Sequence, residues 1–326
     1  MELKEQLELI YHNAFENGYL SESKLTDNDR YIFYKFKEDI FYKVQVNHAR
    51  SKYSDALLDQ KGKKTALAKG AQCLICHENS QQKHNLETVN LTLKDHKYFI
   101  QLTPFPLYPK HFVVVDRAHQ PMEVSPKRLS HLLSLLEQLP DYTVVSNSDR
   151  FNAGASILSH HHFQMIHKTD FPIFTAKERM HQSFENIQMS CLNFPIFALK
   201  LRTMEPERLT EMMGGLLDYW RGKDDENTFN IIARKNNGYF ECYLIFRNPQ
   251  FLTQPKELIY KSEGVGVIEV CGEGVFPTPT TRDLMGEIQK DGGEILHRII
   301  SSLNPIREDF ADQFEEMISS LHLNMV

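Results

Sequence analysis

Three consecutive histidines followed by phenylalanine and glutamine, His160-His161-His162-Phe163-Gln164, constrain this chain more than any other feature. An extended strand sends successive side chains to opposite faces. His160, His162 and Gln164 therefore share one face, and His161 and Phe163 share the other. Three polar side chains on one face are poor core material, since burying each without a partner costs roughly 1–3 kcal/mol. They must meet a ligand, a metal or solvent. A run rich in small residues, Phe151-Asn152-Ala153-Gly154-Ala155-Ser156-Ile157-Leu158-Ser159, leads into them.

The cysteines supply the second constraint. Five in 326 residues is an odd and a low count, so a reducing cytoplasm is the default, and a close pair is a metal or redox candidate before a disulfide. Cys73-Leu74-Ile75-Cys76 is such a pair, set in a polar loop, and it suits two thiolate ligands of a tetrahedral zinc. A redox pair would open a helix after a strand, an order not visible in Glu78-Asn79-Ser80-Gln81-Gln82. Two further ligands are needed, with His77, His84, His111, His119, His160, His161 and His162 as candidates. Cys191, Cys242 and Cys271 have no partner pattern and are expected as buried thiols.

Charge and length bound the rest. The formal charge is 37 − 43 = −6, which argues against nucleic acid as a partner because phosphate contacts need a basic surface. A small anionic ligand is still allowed. No run approaches the ~20 apolar residues of a membrane span, so no membrane partner is expected, and the charged start Met1–Glu8 does not read as a secretory signal. The length suggests two domains or one duplicated unit.

A helix is expected over 2–17. A hairpin is expected from Tyr31–Phe36 and Ile40–Val46 around a turn at 37–39. Residues 51–71, with Lys61, Lys63, Lys64 and Lys69, read as a solvated loop. Strands at 98–102 and 111–115 flank a stiff linker with three prolines, Thr103–Lys110. Ser125-Pro126 opens a helix with serine as N-cap and proline in the first turn; Leu129, Leu132, Leu133, Leu136 and Leu139 form its apolar stripe. The pattern Pro126-Lys127-Arg128-Leu129 recurs at Pro206-Glu207-Arg208-Leu209, each time ahead of two strand signals, and suggests an internal repeat. Gly264–Val270 reads as a strand, and helices are expected from about 281, 294 and 307. The glycines at 264, 266, 272 and 274 do not form a phosphate loop, because no GKS or GKT follows.

The motif H-x-H-x-Q with its Gly/Ser-rich approach resembles the transferase branch of the histidine triad superfamily. That branch holds galactose-1-phosphate uridylyltransferase, dinucleoside tetraphosphate phosphorylase and the GDP-galactose phosphorylases, the last of which end their motif in H-F-Q as here. The similarity covers about residues 70–166. It implies a structural zinc on Cys73, Cys76, His119 and His160. Phe151-Asn152-Ala153-Gly154 is similar to the family's Phe-x-Asn-x-Gly approach. Thr103-Pro104-Phe105-Pro106 is similar to its Asn-x-Phe loop, with threonine in place of the asparagine. The family's second metal site has no match, since only His297 and His322 lie beyond 181.

The resemblance implies an α+β fold made of a duplicated histidine-triad-like unit, antiparallel sheets flanked by helices. Residues 1–170 would form the catalytic half with the zinc site. Residues 171–326 would form a degenerate half, with Tyr239-Phe240-Glu241-Cys242-Tyr243 at the position of the histidine strand. It further implies a nucleotidyltransferase or phosphorylase that uses a nucleotide sugar or dinucleoside polyphosphate and a phosphate acceptor, and often a homodimer. His162 would be the nucleophile, its other ring nitrogen held by a backbone carbonyl, and Gln164 would donate to a phosphate oxygen. Phe105, Phe151, Asn152, Gly154, Ser156 and Ser159 would contact substrate, Gly154 by letting the backbone approach the phosphates. Two other readings are a zinc-stabilised nucleotide-binding protein without activity and a hydrolase that uses water as acceptor.

Overall fold

The orientation of the histidine strand follows from its apolar residues. Phe163 and Met165 enter a core roofed by helices, and this sends His162 and Gln164 to the opposite face. The computed structural model describes residues 1–22, 25, 28–35, 39–48, 67–103, 106–154, 157–261, 264–304 and 310–324. Most of the expected basic loop at 51–71, most of the turn at 37–39, and both Phe105 and Ser156 lie outside the described residues.

The first part of the chain contains α1 (Leu3–Glu16), β1 (Asp29–Lys35), β2 (Ile40–Asn47), α2 (His77–His84), β3 (Val89–Leu93), β4 (His96–Leu102), β5 (His111–Asp116), α3 (Pro126–Gln138), β6 (Tyr142–Ser146) and β7 (His162–His167). The second part contains β8 (Glu178–Phe184), β9 (Ile187–Leu192), β10 (Ala198–Thr203), α4 (Pro206–Lys223), β11 (Thr228–Asn236), β12 (Tyr239–Arg247), α5 (Val267–Val270), β13 (Glu273–Pro277), α6 (Arg282–Ser301) and α7 (Phe310–Asn324). Two 3-10 turns, Pro172–Thr175 and Pro255–Glu257, complete the described elements.

Ten strands form one antiparallel sheet in the order β3-β4-β5-β7-β6-β11-β12-β10-β9-β8. The order is mirrored about the β6·β11 pair, and each set of five carries a helix between its third strand and its innermost one. This is the repeat read in the Pro126 and Pro206 helices. The two sets meet through Ser146↔Ile231 to Thr143↔Arg234, so one continuous sheet runs through both.

Helices α1, α3, α4 and α7 cover one face. Ser125 caps α3, its hydroxyl accepting from the Arg128 amide at 3.3 Å, and all five leucines of the expected stripe are buried. The other face is covered twice. A three-stranded sheet, β1-β2-β13, packs with α6 over Val145, Ile166, Ile232 and Tyr243. The Cys73–Cys76 segment packs over Phe99, Val113 and Val115. His162 and Gln164 lie on this face, between the two covers.

Two expectations change. Gly264–Val270 is not a strand: Val267–Val270 is a single helical turn. Its valines suggest a strand, but Asn147 Oδ1 accepts from the Val267 amide at 2.9 Å and Glu269 from the Gly266 amide at 2.8 Å. These two contacts satisfy the first amides of a helix instead. The residues after Cys76 also form a helix, α2, with Cys76 as its N-cap. The small sheet contains a parallel pair, β2·β13, which ties residues 273–277 to the amino-terminal hairpin.

Candidate active site

Four ligand atoms come together where the β5 end, the Cys73–Cys76 turn and the start of β7 meet. Cys73, Cys76, His119 and His160 present sulfur and nitrogen atoms all within 4.8 Å of one another. Cys73 Sγ lies 3.6 Å from Cys76 Sγ and 3.4 Å from His160 Nδ1. Cys76 Sγ lies 3.4 Å from His119 Nδ1 and 3.7 Å from His160 Nδ1. A tetrahedral zinc with bonds of about 2.3 Å to sulfur and about 2.0 Å to nitrogen needs ligand separations of roughly 3.5–3.8 Å. The donor set and its spacing fit such an ion.

The surroundings hold this geometry. Amides of Gln72 and Cys73 point at Cys76 Sγ (3.4 and 3.3 Å). Buried Asn79 clamps the turn, donating to Cys73 O at 2.6 Å and accepting from the Ala68 amide at 2.8 Å. His160 Nε2 donates to Asp116 O at 2.8 Å, which leaves Nδ1 free for a metal. Burial pushes the Cys73 thiol up to about 12; a cation is what would stabilise the thiolates there. Of the other candidate histidines, His77 is outside the cluster, with Nε2 3.0 Å from Thr88 Oγ1 and its ring against Phe99.

Two residues on, the His162 ring nitrogen Nδ1 donates to His160 O at 2.8 Å. The carbonyl can only accept, so the proton sits on Nδ1 and Nε2 carries the lone pair. Burial pulls the His162 pKa down to about 4, against the hydrogen bond to His160 O. The ring is neutral at pH 7, as a nucleophile must be.

Gln164 is oriented by a residue whose role the sequence did not reveal. The Leu107 amide donates to His111 Nδ1 at 3.3 Å, so His111 Nε2 carries the proton and donates to Gln164 Oε1 at 3.0 Å. The Gln164 amide nitrogen is then left as the donor. His111 is one of seven candidate ligands in the sequence; alternation puts it on one face with Val113 and Val115, and the pairing of β5 with β7 makes this the His162 face.

The approach loop is tied down by Asp149, which accepts from Arg221 at 2.9 Å, Thr228 at 2.7 Å and the Val124 amide at 3.1 Å. Phe151, Asn152 and Ser159 are exposed. Gly154 has φ +114°, and a Cβ there would stand 3.0 Å from Val265 O and 3.3 Å from Gly266 Cα. The glycine at 154 is thus required by close approach to the 265–266 backbone.

In the second half the histidine position is filled differently. Directly paired residues share a face, so Gln164, Val145, Ile232 and Tyr243 form one row across the sheet. Tyr243 and Glu241 stand on β12 where β7 has its polar face. Glu241 accepts from Arg234 at 2.8 Å, Tyr243 at 3.1 Å and Asn236 at 3.2 Å.

The DUF4922 family, described as a domain of unknown function, matches residues 21–167. Among curated proteins, the chain is 31% identical over 241 residues to a galactose-1-phosphate uridylyltransferase of Bacillus subtilis, covering 63% of this chain and 46% of that one. It is 28% identical to that of Streptococcus thermophilus (75% and 55%) and 27% identical to that of Ligilactobacillus salivarius (88% and 64%). The chain thus spans about half to two thirds of the length of these relatives. In fold it is similar to yeast Ap4A phosphorylase, with a TM-score of 0.60, 15% identity and coverage of 93% of this chain and 95% of that one. The resemblance to the transferase branch stands on these relatives, and the mixed α+β, histidine-triad-like fold on the phosphorylase. No helix among the described residues is long and apolar enough to cross a membrane.

Proposed function

We propose that this chain, a relative of the transferase branch of the histidine triad superfamily, moves a nucleoside monophosphate from a nucleotide sugar or dinucleoside polyphosphate to a phosphate acceptor. His162 Nε2 attacks the α-phosphorus, and the bond to the leaving phosphate breaks with its electron pair. The acceptor phosphate oxygen then attacks the same phosphorus and returns the electron pair to Nε2. Two displacements replace one difficult step. The observation that carries the reading is the His162 Nδ1 to His160 O bond, which gives a neutral ring with its lone pair on Nε2. Charge that develops on Nδ1 during attack falls next to a carbonyl oxygen. Gln164, turned by His111, donates to a non-bridging phosphate oxygen and offsets charge in the transition state. Phe151, Asn152, Gly154 and Ser159 contact the substrate, and the resemblance alone assigns Phe105 and Ser156 to it.

The metal on Cys73, Cys76, His119 and His160 is zinc, and its role is structural, because four protein ligands leave no open position. It ties His160 to the Cys73–Cys76 turn and so fixes the carbonyl that holds His162. Residues 1–170 form the catalytic half and 171–326 the degenerate half. The protein works in the cytoplasm, where the thiolates stay reduced, and as a homodimer, without nucleic acid or membrane.

Intact-protein mass spectrometry tests this. The zinc-loaded protein is incubated with UDP-, GDP- and ADP-sugars and dinucleoside polyphosphates, without acceptor, and quenched at alkaline pH. The expected result is an adduct of one nucleoside monophosphate, absent in His162→Ala with zinc and fold retained. An unreactive protein that still binds nucleotide would make it a binding protein instead.

A further inference from the structure

Arg247, the last residue of β12, stands where the sheet asks for an apolar side chain. Alternation along β12 sets it on one face with Tyr243 and Ile245, both buried on the side of the small sheet. Arg247 itself is 1% exposed. Its Nη1 donates to Asn230 Oδ1 at 2.6 Å and to Val265 O at 3.3 Å, while its buried Nε has no hydrogen-bond partner among the described residues. Neither contact is to a carboxylate. Glu269 is the acid whose field reaches it, and Glu269 is engaged by the Lys261 ammonium and by the Gly266 amide, each at 2.8 Å. Burial pulls the Arg247 pKa down to about 10 against the pull of Glu269, so the guanidinium stays charged at pH 7. A buried cation without its own counter-ion weakens a fold, and an apolar residue of similar volume would pack better. Choices that break a local rule in this way concentrate at functional sites.

What the guanidinium holds is the approach loop, from behind. Asn230 on β11 is fully buried; it is paired directly with Ile245 and so shares the face of Arg247. Arg247 takes its Oδ1, which fixes the amide and aims Nδ2 at Ala153 O, 3.4 Å away. The peptide bond is trans, so the Gly154 N–H points the opposite way from Ala153 O, away from Asn230. The second Arg247 contact holds Val265 O, the atom that would stand 3.0 Å from a Cβ on Gly154. One side chain thus sets both the carbonyl before Gly154 and the backbone that presses on Gly154. It does not reach the reacting groups. β12 is the third strand beyond β7, roughly 14 Å away at about 4.8 Å per strand.

We propose that Arg247 is a positioning residue of the transfer site: through Asn230 and Val265 it fixes the peptide between Ala153 and Gly154, so that the Gly154 amide faces the phosphates of the bound nucleotide. Its charge, with no carboxylate of its own to cancel it, adds to their attraction. The inference rests on the transferase reading for the identity of the anion; the anchoring of the loop does not depend on it.

Asn230→Asp and Arg247→Met test it in the full zinc-loaded chain. Asn230→Asp keeps an acceptor for Arg247 but sets an oxygen against Ala153 O and cancels the cation. The first readout is amide hydrogen exchange of the peptide covering 147–159. The second is the rate constant of adduct formation on His162 at saturating donor, read by rapid quench and mass spectrometry with the UDP-, GDP- and ADP-sugars and dinucleoside polyphosphates as probes. Partial unfolding lowers the amplitude of the adduct, whereas a misplaced loop lowers the rate constant of the folded molecules. The fold is checked by the thermal midpoint and by the fluorescence of Trp220, whose indole donates to Arg247 O at 3.3 Å. The expected result is faster exchange over 147–159 in both variants and a roughly tenfold or greater fall in the rate constant, in Asn230→Asp with one zinc per chain and a thermal midpoint near that of wild type. A rate constant within twofold of wild type in Asn230→Asp overturns the inference, as does a loss in Arg247→Met confined to the amplitude. A wild-type chain that forms no adduct with any donor removes the transfer reading. Exchange then decides alone: faster exchange keeps Arg247 as the anchor of the loop, and unchanged exchange removes that as well.

Discussion

Replacing Arg128 with methionine should damage both the fold and the metal centre, and the two effects can be sized separately. Arg128 is buried on α3 and reaches back to the β5 end. It donates to Asp116 Oδ2 and to the Tyr98 hydroxyl, each at 2.9 Å, and to Glu123 at 3.0 Å. Asp116 is fully buried. Methionine keeps the length of the side chain but strands that carboxylate with only His96 (2.8 Å) and the Ala118 amide (2.9 Å). Breaking one side of a buried pair costs about 3–5 kcal/mol; the half-exposed Glu123 adds little. Asp116 also accepts from His160 Nε2 through its carbonyl, so its displacement should loosen zinc by roughly 10–100-fold. The chain has one tryptophan, Trp220, packed edge-on against Phe246, and its fluorescence can follow urea unfolding. Zinc affinity is read by competition with a chromophoric chelator. In an Arg128→Met, Asp116→Asn double-mutant cycle, the two losses should overlap by about 1–3 kcal/mol. An Arg128→Met protein within 1 kcal/mol of wild type (roughly the worth of a surface pair) would refute the argument.

Three further outcomes are expected. Gly154→Ala should cost about 1–3 kcal/mol, because alanine is strained at φ +114° and its Cβ would press on Val265 O; thermal unfolding reads this, and an unchanged midpoint would count against the tight 154–265 contact. His77→Ala should retain one zinc per chain by elemental analysis while His160→Ala loses it, and loss in both would redraw the ligand set. Burial, then the Arg128 charge, pulls the His131 pKa down to about 4. The unfolded chain therefore binds the extra proton first as pH falls. The stability from keeping this ring neutral is full above about pH 6.5 and is lost as pH falls toward 4. By linkage this amounts to about 3 kcal/mol at most. Denaturation between pH 7 and pH 4.5 should show a shallower slope in His131→Gln, and parallel slopes would rule His131 out as the source.

The first half was largely legible because its chemistry is local in sequence or alternates along a strand. The spacing of Phe163 and Met165 alone orients His162 and Gln164. Ser125-Pro126 marks a helix start through amides that must be satisfied close by. What could not be read depends on contacts between distant segments. The turn at 267–270 exists because Asn147 supplies an acceptor from 120 residues away, and no local pattern announces that. The helix after Cys76 has almost no apolar residues, so periodicity gave no sign of it. His111 was visible as a histidine, but its task depends on the register that sets β5 against β7. The ligand set follows from the resemblance; residue spacing alone leaves seven histidines open.

The mirrored sheet raises the question of why only one half would carry chemistry. On β7 the polar face has an imidazole whose second nitrogen keeps a lone pair. On β12 the same face has Glu241, whose oxygens are spent on Arg234, Tyr243 and Asn236 while Lys200 stands 3.3 Å away. Burial opposes its ionisation, yet Arg234 and Lys200 hold its pKa below the usual carboxylate range. A carboxylate held this way is a stable anion with its lone pairs engaged, which is the opposite of a poised nucleophile. Its two nearest cations are neutralised by the same pairing, Lys200 also by Glu178 at 2.8 Å, so they are poorly placed to attract a phosphate. The second half therefore keeps the strand order and the packing of the first but satisfies its polar face internally. That arrangement lets it act as a rigid wall: β11 buttresses the sheet beside β7, and the 265–266 backbone closes on Gly154 at the mouth of the loop that leads to His162.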